Sequence, residues 1–266
     1  MRIAVLVKQV PATEDVKIDN KKGTLIREKS EVETNPTDLT AISQAVRIKK
    51  TIGKGEVVAI SMGPSSAIKT LREALSLGCD KAFLISDRIF AGSDTLATAK
   101  VLSRALQQLG PFKIILAGNK SSDGETGQVG PSVAMQLGLC FTTYVTSIEK
   151  VTDDFIVIRR LTETEYERIK LKLPALLTVT KQVCEPDLPS LRNKIRALEL
   201  KIPILRATDL GIADSEVGLK GSPTKVMKIF RPKIFRKGKI IKVGNVRKAV
   251  KEILLFLEKQ GVSSQW

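Results

Sequence analysis

Residues 121–131 read SSDGETGQVGP, three glycines and two carboxylates set between the apolar run KIILAG and the helix-like SVAMQL. A glycine-rich turn from strand to helix is where α/β proteins place phosphate, because backbone N–H groups and the positive end of the helix dipole converge there. No Gly-Lys-Ser/Thr follows, so the lysine that reaches the terminal phosphates of a nucleoside triphosphate is missing and a P-loop is not indicated. Taken alone, the turn reads equally as a glycine-rich loop with nothing bound. The chain has no histidine. That removes Ser-His-Asp and Cys-His catalysis, histidine-ligated zinc and the usual general base near neutral pH. Any chemistry therefore falls to a bound cofactor, with no catalytic side chain assigned. Cys79, Cys140 and Cys184 are widely spaced, odd in number and without a CxxC pair. They suggest neither disulfides nor a metal centre and read as buried small hydrophobes.

The elements that must position this turn follow from periodicity. Apolar runs at 3–7, 57–61, 82–85 and 112–116 read as strands, and amphipathic stretches beginning near Pro36, Ser66, Asp94 and Val129 read as helices. This βα alternation predicts an α/β fold, a doubly wound, mainly parallel sheet with helices on both faces. Asn35 and Pro36 suit the cap and first position of the first helix, and VKIDNKKGTLI before it reads as a hairpin around residues 20–23. Further strand-like runs at 142–148, 155–160, 166–171 and 175–180 extend the sheet, and EPDLPSL reads as an exposed, proline-broken loop. In such sheets ligands bind beyond the carboxyl ends of the strands. Four segments reach that edge: Lys8 to Pro11, SMGPSS, SDRIFAGSDT and NKSSDGETGQVGP. Small and turn residues in all four favour a nucleotide-sized site over an empty edge.

The 266 residues are 42% hydrophobic, enough for a real core, with no apolar run near the roughly 20 residues that cross a bilayer. MRIAVLVKQV is too short and polar-flanked for a secretory signal, which predicts a cytoplasmic protein without membrane insertion. Of the net charge of +16, +12 lies beyond residue 191, where 18 Lys and Arg face 6 Asp and Glu. With one Trp, two Tyr and no RNA-binding motif, this basic region points to an acidic partner or a solvated face before nucleic acid. It ends in an amphipathic helix at about 245–259, so residues 1–208 read as the nucleotide-binding domain and 209–266 as a basic arm docked on its own domain or on a partner.

VLVKQV, NPTDLTAISQAVRIK, VVAISMGP, DGETGQVGP and LKLPALLTVTKQVCEPDLPSLRNKIRA together make the sequence resemble the β subunit of electron-transferring flavoproteins over nearly its whole length. The resemblance implies an adenine-nucleotide-binding, Rossmann-like domain whose C-terminal arm embraces an α subunit carrying the electron-shuttling FAD. Some β subunits of the family hold a structural AMP. Others, in electron-bifurcating members, hold a second FAD that takes hydride from NADH and sends its electrons by two routes. AMP-type turns carry consecutive acids, whereas DGETGQVGP and FAGSDTLAT are similar to the bifurcating pattern.

Carried onto this chain, the resemblance makes Asp123, Gly124, Glu125, Thr126, Gly127, Gln128, Val129, Gly130 and Pro131 the cradle of pyrophosphate and ribose. It places Leu6, Asn35, Thr37, Asp38 and Met62 around the adenosine, with Lys8 and Gly63 in the same cofactor set. Phe90, Ala91, Asp94, Thr95 and Thr98 lie towards the flavin ring. The plainer reading makes Leu6 and Met62 core or wall residues of the fold, and Asn35 and Asp94 helix caps. Leu191 matches the position that anchors a redox partner, the alternative being a core leucine; Leu198, Glu199 and Leu200 interrupt the usually basic segment that follows. The implied partners are the α subunit, a flavin-dependent dehydrogenase of acyl-CoA or hydroxyacid type, and ferredoxin. The rival readings are an AMP-holding, non-bifurcating β subunit and an unrelated nucleotide-binding or ATP-hydrolysing α/β protein.

Overall fold

The structure, a computed structural model, describes residues 1–12, 18–19, 24–25, 31–227 and 246–261. They divide into two compact units, Met1–Lys228 and Ile229–Trp266. The chain runs β1 Arg2–Leu6, β2 Gln9–Pro11, β3 Ile18–Asp19, β4 Thr24–Leu25, β5 Val32–Thr34, α1 Pro36–Ile52, β6 Glu56–Met62, α2 Ile68–Ser76, β7 Lys81–Ile85, α3 Thr95–Leu109, β8 Ile114–Gly118 and α4 Val129–Leu137. It continues with β9 Cys140–Val151, β10 Phe155–Leu161, β11 Tyr166–Lys172, β12 Ala175–Val179, α5 Leu191–Glu199, β13 Ile204–Leu205, α6 Gly218–Gly221 and, in the second unit, α7 Val246–Lys259.

A nine-stranded sheet takes the order β11-β10-β9-β12-β8-β1-β6-β7-β13. Every pair from β9 through β12 to β13 is parallel, and β10 and β11 extend the sheet antiparallel. The expected doubly wound, mainly parallel α/β fold is therefore present. From β1 the chain builds outward through β6 and β7, then α3 returns it to the other side of β1 as β8. The winding reverses between β1 and β8, and that is where a doubly wound sheet opens its ligand crevice. Alternation along β1 fills two cores. Ile3 and Val5 pack under α1 and α2, while Ala4 and Leu6 pack with residues of α3 and α4.

Several local expectations shift. Ser190 accepts from Asn193 N and starts α5 directly after the proline-broken loop. Arg196 then fastens the helix through the carbonyls of Leu75 and Cys79, and Arg72 reaches back to Ala197 O and Leu200 O. Residues 209–227, assigned to the arm from sequence, fall within the first unit, and Leu210, Ile212 and Val217 join the core cluster that contains Leu102 and Leu106 of α3. Cys79 is buried as expected, but Cys140 is exposed. The hairpin's strands pair antiparallel, Ile18 with Leu25; its turn at 20–23 and residues 228–242 of the basic segment lie outside the described residues. Among the described residues no helix is long and apolar enough to cross a membrane.

Candidate functional site

The loops after β1 and β8 meet across the switch point. Lys8 Nζ lies 2.6 and 2.8 Å from the two carboxylate oxygens of Asp123 and 3.3 Å from Ser121 Oγ. Burial opposes ionisation of Asp123, but the Lys8 ammonium and Ser121 hold its carboxyl below the usual range. The second acid of the turn is compensated too, by Lys120 Nζ at 3.0 Å from Glu125 Oε1. The glycine turn thus presents two neutralised carboxylates.

Beneath it lies a buried strap from the start of α1. Asp38 accepts from Lys8 N at 2.8 Å through one oxygen and from Gly118 N at 3.0 Å through the other, tying the ends of β1 and β8 together. Burial pushes its carboxyl up to about 7, against the hydrogen bonds from Asn35, Lys8 and Gly118 that favour the charge. Gly118 is required here, since a Cβ at this position would run into Thr37 Oγ1 and Asp38 Oδ1. Asn35 occupies the cap position of α1 without capping it. Its amide nitrogen donates to Lys120 O and Thr37 Oγ1, both at 3.0 Å, and its carbonyl oxygen accepts from Ser122 N at 3.2 Å, so the side chain holds the β8 loop. Thr37 adds a bond to Lys120 O at 2.9 Å.

The turn itself is largely exposed, and Glu125 and Gly127, with φ of 50° and 62°, lie in the left-handed region before α4 begins. Ser132 N bonds Gln128 O at 3.0 Å, whereas the amides of residues 126–130 meet no acceptor among the described residues and Pro131 has none to donate. Among the described residues, two buried polar atoms nearby also lack partners, Asn119 Oδ1 at the end of β8 and Thr178 Oγ1 on β12. Gly130 sits against that threonine: a Cβ would lie 2.5 Å from Thr178 Cγ2. Unbonded amides at a helix N-terminus, a cation, and an unpaired carbonyl oxygen fit the phosphates and hydroxyls of an adenine nucleotide.

The structure gathers Lys8, Asn35, Thr37, Asp38, Asp123, Gly124, Glu125, Thr126, Gly127, Gln128, Val129, Gly130 and Pro131 at this crevice. Thr95 joins them through a 3.3 Å bond from its hydroxyl to Gln128 Oε1. The other named residues have structural partners of their own. Leu6 and Phe90 are buried in the second core, Met62 packs against it, and Gly63 bonds Ile85 O beyond β6. Thr98 N bonds Asp94 O inside the first turn of α3, and Ala91 is exposed in the preceding loop. Asp94 is the helix cap, its Oδ1 accepting from Leu96 N and Ala97 N. From sequence, Asn119, Lys120, Ser121 and Ser122 were read only as part of the edge segment after β8, with no roles of their own, and Thr178 was not singled out.

Residues 22–209 match the family model described as electron transfer flavoprotein domain. Over 263 residues, 98% of this chain and 100% of the relative, the sequence is 43% identical to the electron transfer flavoprotein subunit beta of Thermoanaerobacterium thermosaccharolyticum. The chain belongs to the electron transfer flavoprotein beta-subunit family. It is also 40% identical to the caffeyl-CoA reductase-Etf complex subunit CarD of Acetobacterium woodii, over 87% of this chain and 88% of the relative. Protein FixA of Azorhizobium caulinodans is 37% identical over 87% and 85%. Within this family membership the switch-point crevice, with its glycine turn and strapped strands, is the chain's candidate nucleotide site.

Proposed function

We propose that this β subunit holds FAD in the β1/β8 crevice, exchanges hydride with NAD(H), and bifurcates or confurcates electrons between a low-potential carrier such as ferredoxin and the FAD of an α subunit that serves a flavin-dependent dehydrogenase. FAD, when bound, supplies the hydride and single-electron chemistry for which a chain without histidine has no obvious side chain. The amides of residues 126–130 receive the pyrophosphate, and Lys8 and Lys120 keep Asp123 and Glu125 from repelling it. Asp123 retains lone pairs for a ribose hydroxyl beside its bonds to Lys8. Asn35, Thr37 and Asp38 orient by holding the two loops rather than by touching the nucleotide. Thr95 faces the flavin end of the crevice. Leu191 meets the dehydrogenase, of acyl-CoA or hydroxyacid type, and the relative named as part of a caffeyl-CoA reductase-Etf complex supports the acyl-CoA choice. The basic arm docks on the α subunit in a cytoplasmic complex.

The observation that carries this reading is the pairing of both turn acids with lysines beside unbonded amides, which makes the turn receptive to a pyrophosphate. Counting cofactors in the purified heterodimer tests it. Two flavins per heterodimer are expected, with NADH reducing one of them; one flavin together with AMP identifies the non-bifurcating form and overturns the proposal.

A further inference from the structure

The last described stretch of the first unit is fastened to the turn that opens α3. Thr224 donates twice to Asp94 Oδ2, from its amide at 3.0 Å and its hydroxyl at 2.8 Å. Ser222 Oγ accepts from Asp94 N at 2.8 Å and donates to Gly218 O at 2.6 Å. Gly218 N in turn donates to Ser93 Oγ at 2.9 Å, and that hydroxyl donates to Phe90 O at 2.8 Å. The two segments also fit by shape. Gly92, with φ of 75°, has no room for a Cβ, which would lie 2.6 Å from Leu219 Cγ, and a Cβ on Gly218 would strike Ile89 O.

Asp94 therefore spends one oxygen on the cap of α3 and the other on Thr224. Its carboxyl is held below the usual range although burial opposes this, because the amides of Ala97, Thr224 and Leu96 and the Thr224 hydroxyl bond the charged form. Such charge-assisted bonds are stronger than neutral ones. One residue on, Thr95 Oγ1 reaches Gln128 in the glycine turn. A path of adjacent bonds thus runs from Thr224 through Asp94 and Thr95 to the nucleotide crevice. Residues 223–227 are exposed, Thr224 is bonded to Asp94, and the chain then continues into the second unit.

We propose that Asp94 is a positioning residue that links occupancy of the nucleotide crevice to attachment of the C-terminal arm on the α subunit. This rests on the reading above that the crevice holds FAD and the arm docks on that subunit. The element with two arrangements is the segment 222–227, bonded to Asp94 or released from it. Bonded, it fixes the first turn of α3 and with it the Thr95–Gln128 contact. Released, it leaves α3 capped but free to shift relative to the glycine turn. Binding at either end then favours the bonded arrangement, and the effect is reciprocal.

The affinity of the α subunit for the full-length chain, measured with and without FAD, tests the link. FAD is expected to tighten the α subunit by about tenfold, within the usual span of coupling between sites. Thr224→Val and Ser222→Ala are each expected to bring that factor close to one, while changing FAD affinity of the chain alone by less than about twofold. Val226→Ala, on the same exposed segment but outside the bonds, should keep the link. Equal α-subunit affinity with and without FAD in the unsubstituted chain overturns the proposal and leaves the functional reading standing, as does a link that survives both substitutions. A chain that binds no FAD overturns both.

Discussion

Lys8 and Asp123, 115 residues apart, close a 2.6 Å ion pair across the point where the sheet reverses its winding. Both side chains are partly exposed, so the pair contributes less than about 1 kcal/mol to folding. Its weight is local, since it removes an uncompensated carboxylate from the crevice. Lys8→Met should leave the melting temperature nearly unchanged and weaken FAD binding by about 1.5–3 kcal/mol, the range for a hydrogen bond to a charged group. Flavin titration of the apoprotein reads this directly, and an unaltered affinity would show that Lys8 serves only its neighbouring loop.

Gly124 lies between the two acids of the turn. A Cβ there meets only Ser121 Oγ, at an ordinary 3.5 Å, so substitution acts by charge rather than by crowding. Gly124→Asp adds a third carboxylate without a lysine of its own. About 4 Å from a phosphate it would be repelled by up to about 4 kcal/mol at an intermediate dielectric. The heterodimer should fall from two flavins to one and lose reduction by NADH while keeping its fold. Retention of both flavins at normal affinity would remove residues 121–131 from the cofactor site.

Gly130 makes the opposite case, because there the obstacle is steric. With Thr178 Cγ2 2.5 Å from the added carbon, Gly130→Ala forces α4 and β12 apart. Overpacking of this kind costs about 1–3 kcal/mol. A denaturant midpoint that does not move would mean the helix start yields without cost.

Asp38 gives the fold a pH dependence of defined sign. Its carboxyl is raised from 3.8 to about 7 in the folded chain, so across that interval the folded state keeps a proton the unfolded state has lost. Stability should fall as pH rises from about 4 to about 7 and level off above. The chain has no histidine to titrate in that window. The carboxyls of Glu56, Asp94, Asp123 and Asp187 are shifted down, so their contributions disappear only as the solution becomes more acidic than their ordinary range. Urea midpoints should decline over this window, and Asp38→Asn should flatten the profile; a flat profile in the unsubstituted chain contradicts the assignment.

Leu191 is 74% exposed at the start of α5, which excludes the core alternative. Ile195 and Leu198 lie exposed on the following turns of the same helix. Leu191→Ala should change stability by less than about 0.5 kcal/mol, as surface substitutions do. It should slow electron delivery to the dehydrogenase, at about 1–3 kcal/mol in docking, and leave reduction by NADH intact. Stopped-flow transfer at the unsubstituted rate would take Leu191 out of the interface.

By itself the sequence determined what near neighbours encode. Alternating apolar runs marked β1, β6 and β7, Pro36 marked the start of α1, and three glycines in eleven residues marked the turn before α4. Asp94 was legible as a cap because its partners are two and three residues away. The tertiary structure decided the rest. That β8 lands beside β1, not beyond β7, is a matter of crossover packing, and only this adjacency brings Lys8 to Asp123 and lets Asp38 bond both strand ends. Asn35 carried every local sign of a cap, yet its side chain went to the β8 loop, 85 residues distant, where Lys120 and Ser122 left backbone groups to satisfy. Residues 209–227 showed no period of their own, since a segment shaped to fit the glycines of another loop takes its conformation from that loop. Local propensity is written over a few residues; closure of a site between distant loops is set by which buried polar groups find partners once the sheet has formed.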